Sequence, residues 1–394
     1  MPAQAGAHAS LSKPDVRTKP GRRHKSVQGR HPSFAVALAI ATLLAGPHAA
    51  SAQLKPDTAG VETQAIEVRA RPIARFARGG SRTPVLSPRL EWRGGLDLAS
   101  FSRNFGGWSG VILSKDGKRL VAVSDSGVWM TGTLAYDGTR PQALRDVRVG
   151  ALRTKKGGPL TKMRERDAEA ITLAGGTPAK GTAYIAFEQA DRIGVFPLGK
   201  DGVGTPTSYL TMPKEAARMR LDGIEALAVL AGGPHKGALV AFAENPLRGE
   251  TEHRGWIWLA GKPAGFTVPG ISGYSITDAA GLSDGSVLII ERRFRWTEGL
   301  KVRLRLLDAA SLKPGGTARG EVLLEAGHAT AEIDNLEAIA VSEDEHGETV
   351  ITLMSDDNFN RFLQRTVLLQ FTLKDKAVAE AASAPPAKPP AASP

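Results

Sequence analysis

Cysteine is absent from all 394 residues, which excludes disulfides, thiolate catalysis and every zinc or iron–sulfur site that needs a Cys ligand. Histidine is scarce: beyond residue 52 the chain holds only His235, His253, His328 and His346, with no His-x-x-x-His or His-Glu-x-x-His pair. A three-histidine metal centre is therefore not expected. Aromatic residues make up only 6% of the chain, and no basic run is interleaved with them, so nucleic-acid binding is not expected. Gly107-Trp-Ser-Gly110 lacks the spacing of a serine nucleophile elbow. Chemistry on this chain is expected to use water as nucleophile, with oxygen ligands, nitrogen donors or a hard metal ion.

Long apolar runs are also missing. The longest, Phe34 to Ala45, is shorter than the ~20 residues that span a bilayer. It follows Lys13, Arg17, Lys19, Arg22, Arg23, Lys25 and Arg30, set against the single acid Asp15, and precedes Ala50-Ser51-Ala52. A basic region, an apolar region and a small-x-small ending predict a signal peptide over 1–52, with export to the periplasm or medium. An uncleaved anchor is the alternative. Removing 1–52 leaves 44 Lys+Arg against 39 Asp+Glu, so the formal charge falls from +11 to +5. No stable membrane span is expected after processing.

What the chain has in quantity is short strands. Trp108-Ser-Gly-Val-Ile-Leu113, Asp167-Ala-Glu-Ala-Ile-Thr-Leu173, Asp222-Gly-Ile-Glu-Ala-Leu-Ala-Val229, Ile276-Thr-Asp-Ala-Ala280 and Asn335-Leu-Glu-Ala-Ile-Ala-Val341 repeat one phrase. Ser109, Glu169, Glu225, Asp278 and Glu337 mark its recurrence, at a period suited to propeller blades. Second strands answer each opening and close on an acid: Asp125, Glu188, Glu244, Glu291 and Asp356. The pattern predicts an all-β fold, a β-propeller of five or six four-stranded blades with an N-terminal strand closing the ring. A jelly roll or sandwich is the structural alternative. The expected layout is an N-terminal segment over 53–84 that contributes a closing strand, a propeller over 85–376 and a disordered Ala/Pro-rich tail over 377–394.

In an antiparallel blade the start of the first strand and the end of the second share one rim. The recurring acids are thus expected at one mouth of a central channel. Glu169, Glu225 and Glu337 are the candidate catalytic carboxylates. Glu188, Glu244, Glu291, Asp356, Asp357 and Asn358 are candidate ligands for a hard divalent ion, Ca²⁺ above all. Arg292, Arg293, Arg295 and Arg365 are candidate groups for a small anionic substrate. Two readings stay open: a cation-bridged phosphate or carboxylate site, or a salt-bridge lattice that only closes the ring. A monomer is expected.

The blocks Asp167-Ala-Glu-Ala-Ile, Gly223-Ile-Glu-Ala-Leu and Asn335-Leu-Glu-Ala-Ile-Ala-Val, with Ser124-Asp-Ser-Gly127 and Leu353-Met-Ser-Asp-Asp-Asn-Phe359, resemble the phytase-like family of exported bacterial proteins named for "esterase-like activity of phytase". The resemblance runs from about Trp92 to Leu373. It implies a secreted β-propeller and a hydrolase of phosphoesters or other small esters. The chain is similar, more distantly, to gluconolactonase-type propellers, in which a Glu opening an inner strand holds a divalent metal. Glu169, Glu225 and Glu337 occupy comparable places. The competing classes are a non-catalytic binding propeller and a propeller oxidoreductase.

Overall fold

A computed structural model describes residues 56–376 apart from 81–82, 190–191, 215–222, 248 and 272. The expected signal peptide, the tail from 377 and Asp222 lie outside the described residues.

The short β-branched runs form five antiparallel sheets. Blade I comprises Trp108–Leu113, Arg119–Ser124, Val128–Asp137 and Arg140–Ala151; blade II comprises Ala168–Thr177, Lys180–Phe187 and Arg192–Gly199, with two short outer strands. Blade III holds Ile224–Val229, Leu239–Ala243, Glu252–Leu259 and Lys262–Pro269; blade IV holds Ser275–Gly281, Val287–Arg295, Gly299–Leu307 and Gly320–Gly327. Blade V is built from Asn335–Glu343, Thr349–Asp356 and Thr366–Leu373, with Leu90–Ala99 added from the N-terminal side. The first strands of neighbouring blades pack in a closed cycle, I on II and so on until V meets I. Five buried apolar clusters match the five blade–blade interfaces. The protein is therefore an all-β, five-bladed propeller, and a sixth blade is ruled out.

The expectation of four strands per blade holds only for blade III. Gln64–Ala65 adds an edge to blade I, Val85–Leu86 to blade IV and Arg69–Ile73 to blade V. The strand beside the C-terminal Thr366–Leu373 is Leu90–Ala99, so the segment 53–84 supplies outer edges and not that fourth strand. Phe371 meets Phe76 of this segment and Trp92 of Leu90–Ala99 edge-on, with each pair of ring centroids 5.1 Å apart. Such contacts add about 0.5–1.5 kcal/mol each beyond the area they bury.

Each first strand carries one irregularity near its start. The register skips Ser109 in blade I, Glu169 in blade II, Glu225 in blade III, Thr277 in blade IV and Glu337 in blade V. A bulged residue loses its cross-strand partner and its side chain is re-aimed. Immediately after the bulge the strands approach closely: a Cβ on Gly110 would lie 2.7 Å from the Ile171 nitrogen of blade II. Gly110, Ala170, Ala226 and Ala338 follow the bulge in four blades, each small and buried.

Candidate functional site

The bulges determine which side chains gather at one end of the five first strands. The second strands end at the same level, as the pairings Ala168–Phe187, Ile224–Ala243 and Asn335–Asp356 show. Glu188 and Glu244 follow directly on two of those ends. Asp167, Glu169 and Glu188 bring one carboxylate oxygen each within 4.8 Å of one another, and so do Glu188, Glu225 and Glu244. Glu188 belongs to both groups and joins blade II to blade III. Glu188 and Glu244 are buried, whereas Glu169 and Glu225 are half-buried.

Electrostatics follow from this crowding. Burial first, then the charges of Glu244, Glu169, Glu188 and Glu337, push the Glu225 carboxyl well above the usual carboxylate range. Asp356, in blade V, is raised well above it by burial and then by Glu337, Asp125 and Asp357. The counter-charge is Arg292. Its guanidinium donates to Glu337 Oε1 and Asn335 Oδ1, and lies 4.0 Å from Glu244 Oε1. Asn335 Nδ2 donates to the same Glu337 oxygen at 2.8 Å. The carboxylates around Arg292 raise its own pKa against the opposing effect of burial, Glu337 and Glu244 most of all.

Glu169, Glu225, Glu337, Glu188, Glu244, Asp356 and Arg292 thus come together in one electrostatic neighbourhood. Asp167 joins them, a residue the sequence displays only as the opening of a repeat unit. Its signal is Asp167-Ala-Glu169 itself, two acids flanking one small residue, although the bulge at Glu169 hides their shared direction. Gln189 Nε2 donates to Asp167 Oδ2 at 2.5 Å.

Other expected site residues lie elsewhere or do other work. Glu291 is buried and paired with Arg305 at 2.6 Å, on the opposite face of its strand from Arg292. Arg293 pairs with Glu298 at 2.8 Å, and Arg295 reaches the same acid at 3.4 Å. Arg365 is held by Glu332 at 3.0 Å and Asp97 at 3.5 Å. Asp357 Oδ1 accepts from the backbone N–H groups of Gly107 (3.2 Å) and Phe359 (3.0 Å), and Asp356 Oδ1 accepts from Asn358 N–H at 2.7 Å. The Asp356–Asn358 segment is therefore a polar turn whose Asp356 side chain borders the cluster. Asp278, taken from the sequence as the blade IV counterpart of the glutamates, stands one residue past the bulge. Its buried carboxylate accepts N–H bonds from Ala279 and Ile339, each at 2.8 Å, and ties blade IV to blade V.

One Gly-x-Ser-x-Gly spacing does occur, at Gly281-Leu-Ser-Asp-Gly285. It forms the turn between the first two strands of blade IV, closed by the Gly285 N–H to Leu282 carbonyl bond, at the end of the blade away from the acids. It is not a strand-to-helix elbow, so it supplies no serine nucleophile.

A family model described as "Phytase-like: Esterase-like activity of phytase" matches residues 103–359. No curated protein sequence matches the chain. Among solved structures, one titled "Structure of Dos1 propeller" aligns with 72% of this chain and 74% of its own, at 9% identity and a TM-score of 0.32.

Proposed function

The chain belongs to the phytase-like family, and from that premise we propose that it is a metal-dependent hydrolase of a phosphoester or other small ester, working at the acidic mouth of the propeller. The observation that carries the reading is the pair of carboxylate groups sharing Glu188, with Arg292 next to them. Their donor chemistry fits a hard divalent ion: every candidate ligand is a carboxylate oxygen, as Ca²⁺ and Mg²⁺ require. Asp167, Glu169, Glu188, Glu225 and Glu244 would hold the ion, and Ca²⁺ is the assignment tested first. When bound, such an ion supplies positive charge to a phosphoryl or carbonyl oxygen and lowers the pKa of water.

The chain's own residues supply the rest. Arg292 presents a guanidinium, suited to a planar or tetrahedral anion, and Glu337 with Asn335 fixes its direction. Glu337, half-buried and within the electrostatic neighbourhood of Glu225, would orient a water in this reading. Small anionic esters match this charge arrangement. Export to the periplasm and action as a monomer are part of the same proposal. No described helix is long and apolar enough to cross a membrane.

A specific observation favours a second reading. Arg293, Arg295 and Arg365 are all engaged by acids, as a salt-bridge lattice in a non-catalytic binding propeller requires. Elemental analysis of the purified protein, followed by assays on p-nitrophenyl phosphate and p-nitrophenyl acetate before and after chelation, separates the two. Near-stoichiometric divalent ion and a turnover that chelation abolishes are expected. No ion and no turnover on either ester leave the binding propeller.

A further inference from the structure

The second strand of blade IV, Val287–Arg295, pairs residue for residue with Gly299–Leu307 without a register shift. Its side chains therefore alternate in face along the whole strand. Arg292 and Phe294 share one face, about 7 Å apart along the strand at the usual rise per residue. Arg293 turns to the other face, where its guanidinium lies 4.8 Å from the centre of the Tyr274 ring. Phe294 is thus the next side chain outward from the Arg292–Glu337 ion pair.

Phe294 is 54% exposed and Trp296, in the turn beyond it, 62% exposed. Their rings pack edge to face with centroids 5.7 Å apart. Two large rings held against each other in solvent form an apolar surface that a small folded domain does not need for its own stability. On the other face Arg293, Arg295 and Lys301 all reach Glu298, which leaves Arg292 as the cation on the Phe294 face of this strand.

We propose that Phe294 and Trp296 form an apolar subsite for the non-polar part of an amphiphilic anion, whose charged head is taken by Arg292. This inference rests on the preceding reading of Arg292 as the anion-binding group. It narrows the substrate class to esters that carry an aryl or alkyl group next to the negative charge. A soluble aryl phosphate and the headgroup region of an anionic lipid both have this chemistry.

Calorimetric titration of the purified protein with inorganic phosphate and with phenyl phosphate tests the subsite. Phenyl phosphate is expected to bind at least about tenfold more tightly. The double variant F294S/W296S is expected to lose that advantage while binding phosphate as before. Equal affinities in the unmodified protein would overturn the subsite and leave the Arg292 reading standing. In R292M, loss of phosphate binding supports the Arg292 reading. Unchanged phosphate binding there, with the aryl advantage retained, would remove that reading and keep the subsite. Binding of neither ligand overturns both. Trp296 is the one strongly exposed tryptophan among the described residues, so phenyl phosphate is also expected to shift its emission without any mutation; no shift at saturation would contradict its place in the subsite. Cosedimentation with phosphatidylglycerol vesicles, lost in the double variant, assigns the amphiphile to a lipid. No sedimentation with the aryl advantage intact assigns it to a soluble ester.

Discussion

Burial and four neighbouring glutamates raise Glu225, and burial with Glu337, Asp125 and Asp357 raises Asp356. An acid whose folded pKa exceeds its unfolded value binds its proton more tightly in the folded state. Without a counter-ion, stability is therefore greatest below the ordinary carboxylate pKa and falls as pH rises from there through the raised values. The metal-free protein is expected to lose melting temperature as pH rises above the ordinary carboxylate range on this ground, and Ca²⁺ is expected to restore it. Thermal scans at a series of pH values check this; a flat metal-free profile would contradict it. Because Glu188 belongs to both carboxylate groups, Glu188→Gln is expected to diminish the Ca²⁺-induced rise more than Glu169→Gln, which touches one. His253 sets the acid limit. It is fully buried, and burial lowers its imidazole to about 4. A base with a depressed folded pKa costs stability as pH falls from 6.5 towards that value, so His253→Leu is expected to flatten the acid limb of the same scans.

At the scale of the strand, the bulge explains what the sequence displays and what it conceals. Ser109, Glu169, Glu225 and Glu337 were legible because the same phrase recurs around them, and each is the bulged residue of its blade. In blade IV the phrase points to Asp278, but the register skips Thr277. A one-residue bulge shifts the direction of every later side chain, and apolar patterning does not reveal where the extra residue sits. The arginines show the same limit: Arg292, Arg293 and Arg295 are neighbours in sequence, yet strand alternation gives only Arg292 to the acids of blade V. Arg292→Met, which leaves Glu337 with Asn335 but without its ion-pair partner, is expected to cost about 1–3 kcal/mol in denaturant unfolding, since the pair is only partly buried. Gly110→Ala places a Cβ against the backbone of Ile171 and is expected to cost about 1–3 kcal/mol as overpacking. Wild-type stability in either variant would contradict these contacts.

The ring as a whole was readable in outline from strand length, turn spacing and the recurring acids, which pointed to propeller blades. The blade count was not, because the N-terminal strands have no repeat phrase: Leu90–Ala99 belongs to blade V only through pairing with Thr366–Leu373, far along the chain. Contacts of that separation leave no local trace in composition. A variant lacking residues up to 99 is expected to expose the edge of Thr366–Leu373 and to unfold or self-associate, as sedimentation would show. The most direct test of the acidic cluster is calorimetric titration of Ca²⁺ into metal-stripped protein and into Glu188→Gln. Saturable binding in the first and its loss in the second are the expected results. Absence of binding, or binding that Glu188→Gln leaves unchanged, would contradict a metal-holding site at the junction of blades II and III.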